Sequence, residues 1–211
     1  MKIDQSLYLG DILTHFNMST GSTARTPLPE RMILIPASAD DELADETKYR
    51  SIVGSLMYAM LGTRPDLAFA VSQLSRHMHN PTVQHFEAAL RTLRYLKMTQ
   101  HDLLHYHYAG KDDPTSRRQS IQLNAKCDSE WAGDLHDSKS TGGYILDIGG
   151  CSFIWKSTKQ LTVAESSCAA ELAAADSCLD DIIWSRDMLT FLGFDQTEPT
   201  TLWMDSESAI S

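Results

Sequence analysis

Apolar positions change period along the chain. Up to about residue 100 they recur with the 3.6-residue repeat of helices, and from residue 119 they alternate with period two. Ile3, Leu7, Ile12, Leu13 and Phe16 roughly share a face, with Tyr8 and Leu9 beside it, which predicts a short amphipathic helix over 3–17. The Ser/Thr/Gly/Pro-rich stretch 19–30 and the polar stretch 37–46 read as a loop and a linker. Tyr49, Ile52, Val53, Leu56, Met57 and Met60 follow helical spacing, in a helix that Gly62 ends. Thr63 is placed to cap the next helix, with Pro65 in its first turn and Leu67, Ala70, Val71, Leu74 and Met78 as its stripe. Asn80 is placed to cap a third, opening at Pro81, whose Val83, Phe86, Leu90, Leu93 and Leu96 face inward. "DLLHYHYAG" (102–110) alternates like a strand and puts His105 and His107 on one face, as surface residues or as a metal pair.

The second half reads as strand–strand–strand–helix–strand. "SIQLNAKCD" ends at Asp128, and "GGYILDIGG" (142–150) and "CSFIWKST" (151–158) are joined by a tight glycine turn. A helix begins near Ser166 or Ser167 and runs to Gly193, with Leu172, Ala175, Leu179, Ile182, Ile183 and Leu189 as its inner stripe. "TTLWMD" (200–205) is a short last strand ending in Asp205. This pattern predicts an α/β fold after a mostly helical segment.

Composition narrows the class. The 211 residues are 42% hydrophobic and 22% charged, as in a folded globular chain. No apolar run approaches the ~20 residues of a membrane helix, and the first residues do not read as a secretory signal. Cys127, Cys151, Cys168 and Cys178 include no C-x-x-C pair, which points to reduced thiols in an intracellular protein, cytoplasmic or nuclear. Residues 1–118 hold 13 Lys/Arg and 13 Asp/Glu, whereas residues 119–211 hold 5 and 15, so the second half carries the whole net charge of −10. The asymmetry suggests two units with a boundary near 118. An acidic unit binds nucleic acid poorly unless divalent cations neutralise it.

Candidate chemistry lies in "CDSEWAGDLHDSKSTGGY" (127–144) and two later acids. Asp128 ends the first strand, Glu171 sits in the first turns of the long helix, and Asp205 ends the last strand. If the first and last strands are neighbours and the helix crosses behind them, the three carboxylates converge. Alone they repel one another. Mg²⁺ accommodates a few carboxylates together with water or phosphate oxygens, and two such ions about 4 Å apart promote phosphodiester cleavage. Ser167, Ala174 and Ala175 around Glu171 are small and leave it room. Trp131 looks like a core residue, with Glu130 and Asp134 as turn residues around it. Arg91, Arg94 and Lys97 form either a solvated helix face or a phosphate-contacting patch. Lys139, Ser140 and Thr141, with Lys156, Ser157, Thr158 and Lys159, are either phosphate contacts or ordinary surface. A serine hydrolase is excluded by the absence of a G-x-S-x-G elbow.

Several blocks carry a family resemblance: "YRSIVGSLMYAMLGTRPDLAFAVSQLSRHM", "PTVQHFEAALRTLRYLKMT", "CDSEWAGDLHDSKSTGGYILDIGG", "FIWKSTKQLTVAESSCAAEL" and "LWMDSESAI". Together and in this order they resemble the C-terminal part of copia-class LTR-retrotransposon polyproteins, where reverse transcriptase joins RNase H. The resemblance implies that 1–45 is the end of the polymerase thumb with a linker. It implies a helical connection segment over 46–117 and an RNase H-like domain, C-terminally truncated, over 118–211. It implies a mixed sheet, three antiparallel strands then a parallel one, that cleaves the RNA of an RNA/DNA hybrid with Mg²⁺ or Mn²⁺. Its catalytic and metal-binding acids fall on Asp128, Glu171 and Asp205. The family's second acid, two places before the helix glutamate, is Ala169 here. The chain ends at Ser211 with no counterpart of the later strand and fourth acid, and no Y-x-D-D-like motif is present, so polymerase activity is not expected. The alternative reading is an inactive polyprotein fragment that binds nucleic acid or protein. An exposed last strand is open to pairing with remaining polyprotein segments or another copy.

Overall fold

A computed structural model describes residues 1–30, 32–106, 122–134 and 136–210. His107 and the expected boundary near 118 lie outside the described residues. The chain forms two compact units: Ile3–Leu103, and Met1–Lys2 with the chain from Leu104 onward. Strands β1 (Lys2–Ile3) and β2 (Leu104–His105) are two residues each.

The first unit is helical: α1 (Ser6–His15), α2 (Glu46–Gly62), a 3₁₀ turn (Pro65–Leu67), α3 (Ala68–Ser75) and α4 (Val83–Met98). Its core joins Leu9, Ile12 and Leu13 of α1 to Tyr49, Ile52, Val53 and Leu56 of α2, Val71 and Leu74 of α3, and Leu93 and Leu96 of α4. The face of α1 is rotated from the expected one, since Leu9 is buried while Leu7 and Ile3 are exposed. Val83 is also exposed, at the start of α4.

Two expected caps are replaced. The cap of α4 is Thr82, because Pro81, Thr82 and Val83 are held extended against the 37–46 linker. Ala44 N–H donates to the Pro81 carbonyl and Val83 N–H to the Glu42 carbonyl. Helix can therefore start only at Val83, and Asn80 falls outside it. The Thr82 hydroxyl accepts from His85 N–H, and His85 Nδ1 accepts from Thr82 N–H at 2.9 Å, a reciprocal cap. Thr63 caps nothing: its hydroxyl donates to Gln5 Oε1, and the next element opens as the 3₁₀ turn.

Among the described residues of this unit one charge is fully buried. Arg64 is 1% exposed. It donates twice to Asp66, at 2.9 and 2.6 Å, and also to the Thr99 carbonyl and hydroxyl. Tyr95 closes the group by donating to Asp66.

The second unit holds β3 (Leu123–Glu130), β4 (Thr141–Ile148), β5 (Cys151–Lys159), α5 (Ser167–Phe191), β6 (Thr201–Trp203) and α6 (Glu207–Ile210). The sheet is mixed, in the order β5-β4-β3-β6: β3–β4 and β4–β5 are antiparallel, and β3–β6 is parallel. Gly149 and Gly150, both with positive φ, make the two-residue turn between β4 and β5. Ser166 caps α5 by accepting from Ala169 N–H, and Gly193, left-handed at φ 87°, ends its last turn.

The buried stripe of α5 differs from the expected one. Ala170, Ala174, Ala175, Cys178, Ile182, Ser185 and Leu189 face the core, and Leu172, Leu179 and Ile183 are exposed. Close approach is the reason: a Cβ on Gly142 would lie 3.2 Å from the Ala174 Cβ. Where helix and sheet come so near, only small side chains fit, so the larger residues point away.

Candidate metal centre

β3 sets the geometry. Leu123, Ala125 and Cys127 alternate into the core with α5, as period two requires. Ser129 is the next residue on that row, and it reaches Glu171 in the second turn of α5. β6 runs parallel to β3 with Asn124, Ala125 and Lys126 opposite Thr201, Leu202 and Trp203. Extending that register two places sets Asp205 opposite Asp128. The sheet end thus gathers Asp128, Glu171 and Asp205, each offering an oxygen within 4.8 Å of the others.

The three are not equivalent. Asp128 and Asp205 are exposed, and Glu171 is only 5% exposed. Glu171 Oε1 accepts from the Ser129 hydroxyl at 3.0 Å and from Ser129 N–H at 3.1 Å. Glu171 Oε2 is buried with no hydrogen-bond partner. Burial raises the Glu171 pKa above the usual carboxylate range; the Ser129 bonds pull it back, and the charges of Asp128 and Asp205 push it up further. Leaving a buried carboxylate oxygen bare is costly. An all-oxygen donor set of this kind suits a hard divalent cation such as Mg²⁺ or Mn²⁺, which would relieve both the bare oxygen and the crowded charge. Among the described residues this is the one group of three or more potential ligands so close together.

Ser129 escapes a reading of the sequence. Its role depends on a partner 42 residues away, and the available signal is its position, next in the inward row after Cys127.

The other candidate residues lie apart from these acids in role. Between β3 and β4 the chain turns with Ala132 and Ser138 in left-handed conformations. Lys159 clamps this turn through Asp134 and through Asp137 at 2.8 Å, and Lys139 lies 3.9 Å from Asp137. Ser140 and Thr141 are buried, and the Ser140 hydroxyl accepts from Ala132 N–H. These residues shape the turn. Trp131 is half-exposed rather than core, and its indole N–H donates to the Ala164 carbonyl. Lys156 is exposed, with its ammonium 5.8 Å from the centre of the Tyr144 ring. In the helical unit, Arg91 donates to the Thr26 hydroxyl, Lys97 to the Gly21 carbonyl, and Arg94 pairs with Glu87 at 3.7 Å. Arg91 and Lys97 thus fasten the 19–30 loop to α4.

All four cysteines are free thiols. Burial pushes the Cys127 thiol up to about 11, helped by the three nearby carboxylates. No helix among the described residues is long and apolar enough to cross a membrane.

The chain is similar to the Retrovirus-related Pol polyprotein from transposon RE1 of Arabidopsis thaliana, 36% identical over 99% of this chain and 14% of that protein. The Retrovirus-related Pol polyprotein from transposon TNT 1-94 of Nicotiana tabacum is also 36% identical, over 99% of this chain and 15% of its own length. Secreted RxLR effector protein 161 of Plasmopara viticola is 39% identical over 64% of this chain and 89% of that protein. The chain therefore spans about one seventh of the length of the polyproteins it matches. No family model matches the chain, and no solved structure matches it.

Proposed function

Because this chain belongs to the family of retrotransposon Pol polyproteins, we propose that its sheet unit is an RNase H-type centre, hydrolysing the RNA strand of an RNA/DNA hybrid. One observation carries this reading: three carboxylates from two parallel strands and a helix meet within 4.8 Å, and the buried one keeps a bare oxygen. A structural ion pair would have placed a cation among them, as Asp66 has Arg64; here the nearest fixed donors are those of Ser129.

Asp128, Glu171 and Asp205 would hold the metal. Bound Mg²⁺ or Mn²⁺ supplies the charge that activates water and stabilises the leaving oxygen. The chain's own contribution is placement. Asp128 and Asp205 stand at the exposed end of β3 and β6, open to a phosphate, and Glu171 anchors the rear from inside the fold. Lys156 stands exposed on β5 as a phosphate contact. Lys139 and Lys159, with Ser140 and Thr141, contribute by holding the β3–β4 turn. Arg91, Arg94 and Lys97 belong to the helical unit, where Arg91 and Lys97 fasten the 19–30 loop and Arg94 pairs with Glu87; their remaining donors enter as phosphate contacts of that unit.

The test is cleavage of an end-labelled RNA/DNA hybrid by the purified chain with Mg²⁺ and with Mn²⁺, beside Asp128→Asn. Cleavage that the substitution abolishes supports the reading. A well-folded chain that cleaves with neither ion overturns it, and leaves a polyprotein segment that acts by binding.

A further inference from the structure

We propose that Ser129 is a positioning residue of this centre: its hydroxyl and backbone N–H hold Glu171 by one oxygen and so deliver the other to the cation. The proposal rests on the metal-centre reading above. Three observations carry it. First, both Ser129 donors converge on Oε1, at 3.0 and 3.1 Å, and none on Oε2. Second, the same N–H lies 2.8 Å from Asp128 Oδ1, so one donor stands between two carboxylates that would otherwise separate. Third, Glu171 is 5% exposed and Oε2 is without a partner, so the outstanding bonding capacity of this member of the acid cluster lies on Oε2.

The chemistry follows from donor count. A glutamate has several freely rotating bonds, and a single bond to a backbone N–H would still let its carboxylate turn. Adding the hydroxyl fixes the plane of the carboxylate. Oε1 is then saturated with two donors, and Glu171 acts through Oε2 alone. Outer residues that orient a metal ligand typically contribute 10–100-fold to metal affinity. Removing only the hydroxyl leaves the backbone donor in place, so an effect at the lower end is expected.

The experiment measures Mn²⁺ affinity of the whole chain by the electron paramagnetic resonance signal of free Mn²⁺. Wild type, Ser129→Ala, Ser129→Thr and Asp128→Asn are compared, with thermal unfolding in EDTA as a parallel readout. Ser129→Ala should bind Mn²⁺ about tenfold more weakly with unfolding in EDTA little changed. Ser129→Thr, which keeps the hydroxyl, should recover most of the affinity. Should Ser129→Ala not fold, Ser129→Cys keeps the volume with a far weaker donor and should show the same loss. Wild-type affinity in Ser129→Ala or Ser129→Cys overturns the proposal while the centre stands. Failure of the wild type to bind Mn²⁺, or equal binding by Asp128→Asn, overturns the centre itself, and with it this role.

Discussion

Among the described residues each unit buries one charged side chain, and the two are treated in opposite ways. Arg64, in the helical unit, has partners for four of its five N–H groups, a bidentate carboxylate, a carbonyl and a hydroxyl, with its guanidinium 5.6 Å from the centre of the Tyr95 ring. Glu171, in the sheet unit, is given donors on one oxygen and none on the other, with two like charges close by. A complete network serves to hold a fold together. An incomplete one weakens the fold, and is understandable where a ligand is to complete it. The lesson is that burial of a charge says little by itself, and the balance of its partners says what it is for.

Breaking the complete network should have the largest effect. Arg64→Ala leaves Asp66 and Thr99 without their shared donor and should cost about 3–5 kcal/mol, read as a lower denaturation midpoint of the helical unit. All four tryptophans (Trp131, Trp155, Trp184 and Trp203) lie outside that unit. Tryptophan emission therefore follows the sheet unit separately, and should be little affected. Next in size is Gly142→Val, which drives side-chain atoms into Ala174, where a Cβ alone would already lie 3.2 Å from the Ala174 Cβ. It should cost about 1–3 kcal/mol, this time visible in tryptophan emission.

The incomplete network predicts the opposite sign. Glu171→Gln removes one of three crowded charges, so in EDTA it should raise the sheet unit's stability by about 1 kcal/mol, while removing any stabilisation by divalent cation. A loss of stability in EDTA would mean that Glu171 is a structural residue like Arg64.

The smallest effect is a pH dependence of the helical unit. His85 is fully buried with its ring stacked 4.0 Å from that of His77, and its Nδ1 accepts from Thr82 N–H. Burial depresses its pKa, the main influence; Asp41 in the 37–46 linker and the Ile35 carbonyl act the other way. A histidine depressed in the folded state is stabilising above its unfolded pKa. That stability is lost as pH falls below about 6.5, when protonation would also take away the acceptor of the cap. Urea midpoints of the helical unit should fall between pH 7 and pH 5. Much of that fall should disappear in His85→Gln, which retains a cap-compatible side chain at this position.

Much of the fold is legible in the sequence, for identifiable reasons. Period-two alternation marks β3 to β5; the two acids read as strand ends lie two residues inside the end of β3 and two beyond β6, and the parallel register of that pair is what brings Asp128 and Asp205 level. The misreadings share one cause, a neighbour distant in sequence. Leu172, Leu179 and Ile183 satisfy helical spacing as well as the buried Ala174 and Cys178 do; only the close approach at Gly142 decides between the two faces. Asn80 and Thr63 are good caps locally, but the linker pairing at Glu42–Ala44 and the contact with Gln5 override them.

The most direct measurement is a Mn²⁺ and Mg²⁺ titration of the chain during denaturation, with tryptophan emission following the sheet unit and amide hydrogen exchange in α1 to α4 following the helical unit. Either ion should raise the midpoint seen by tryptophan emission, leave the transition of the helical unit in place, and do neither in Asp128→Asn. A tryptophan midpoint that ignores both ions, or that shifts equally in Asp128→Asn, would contradict the claim that Glu171 is left incomplete for a cation.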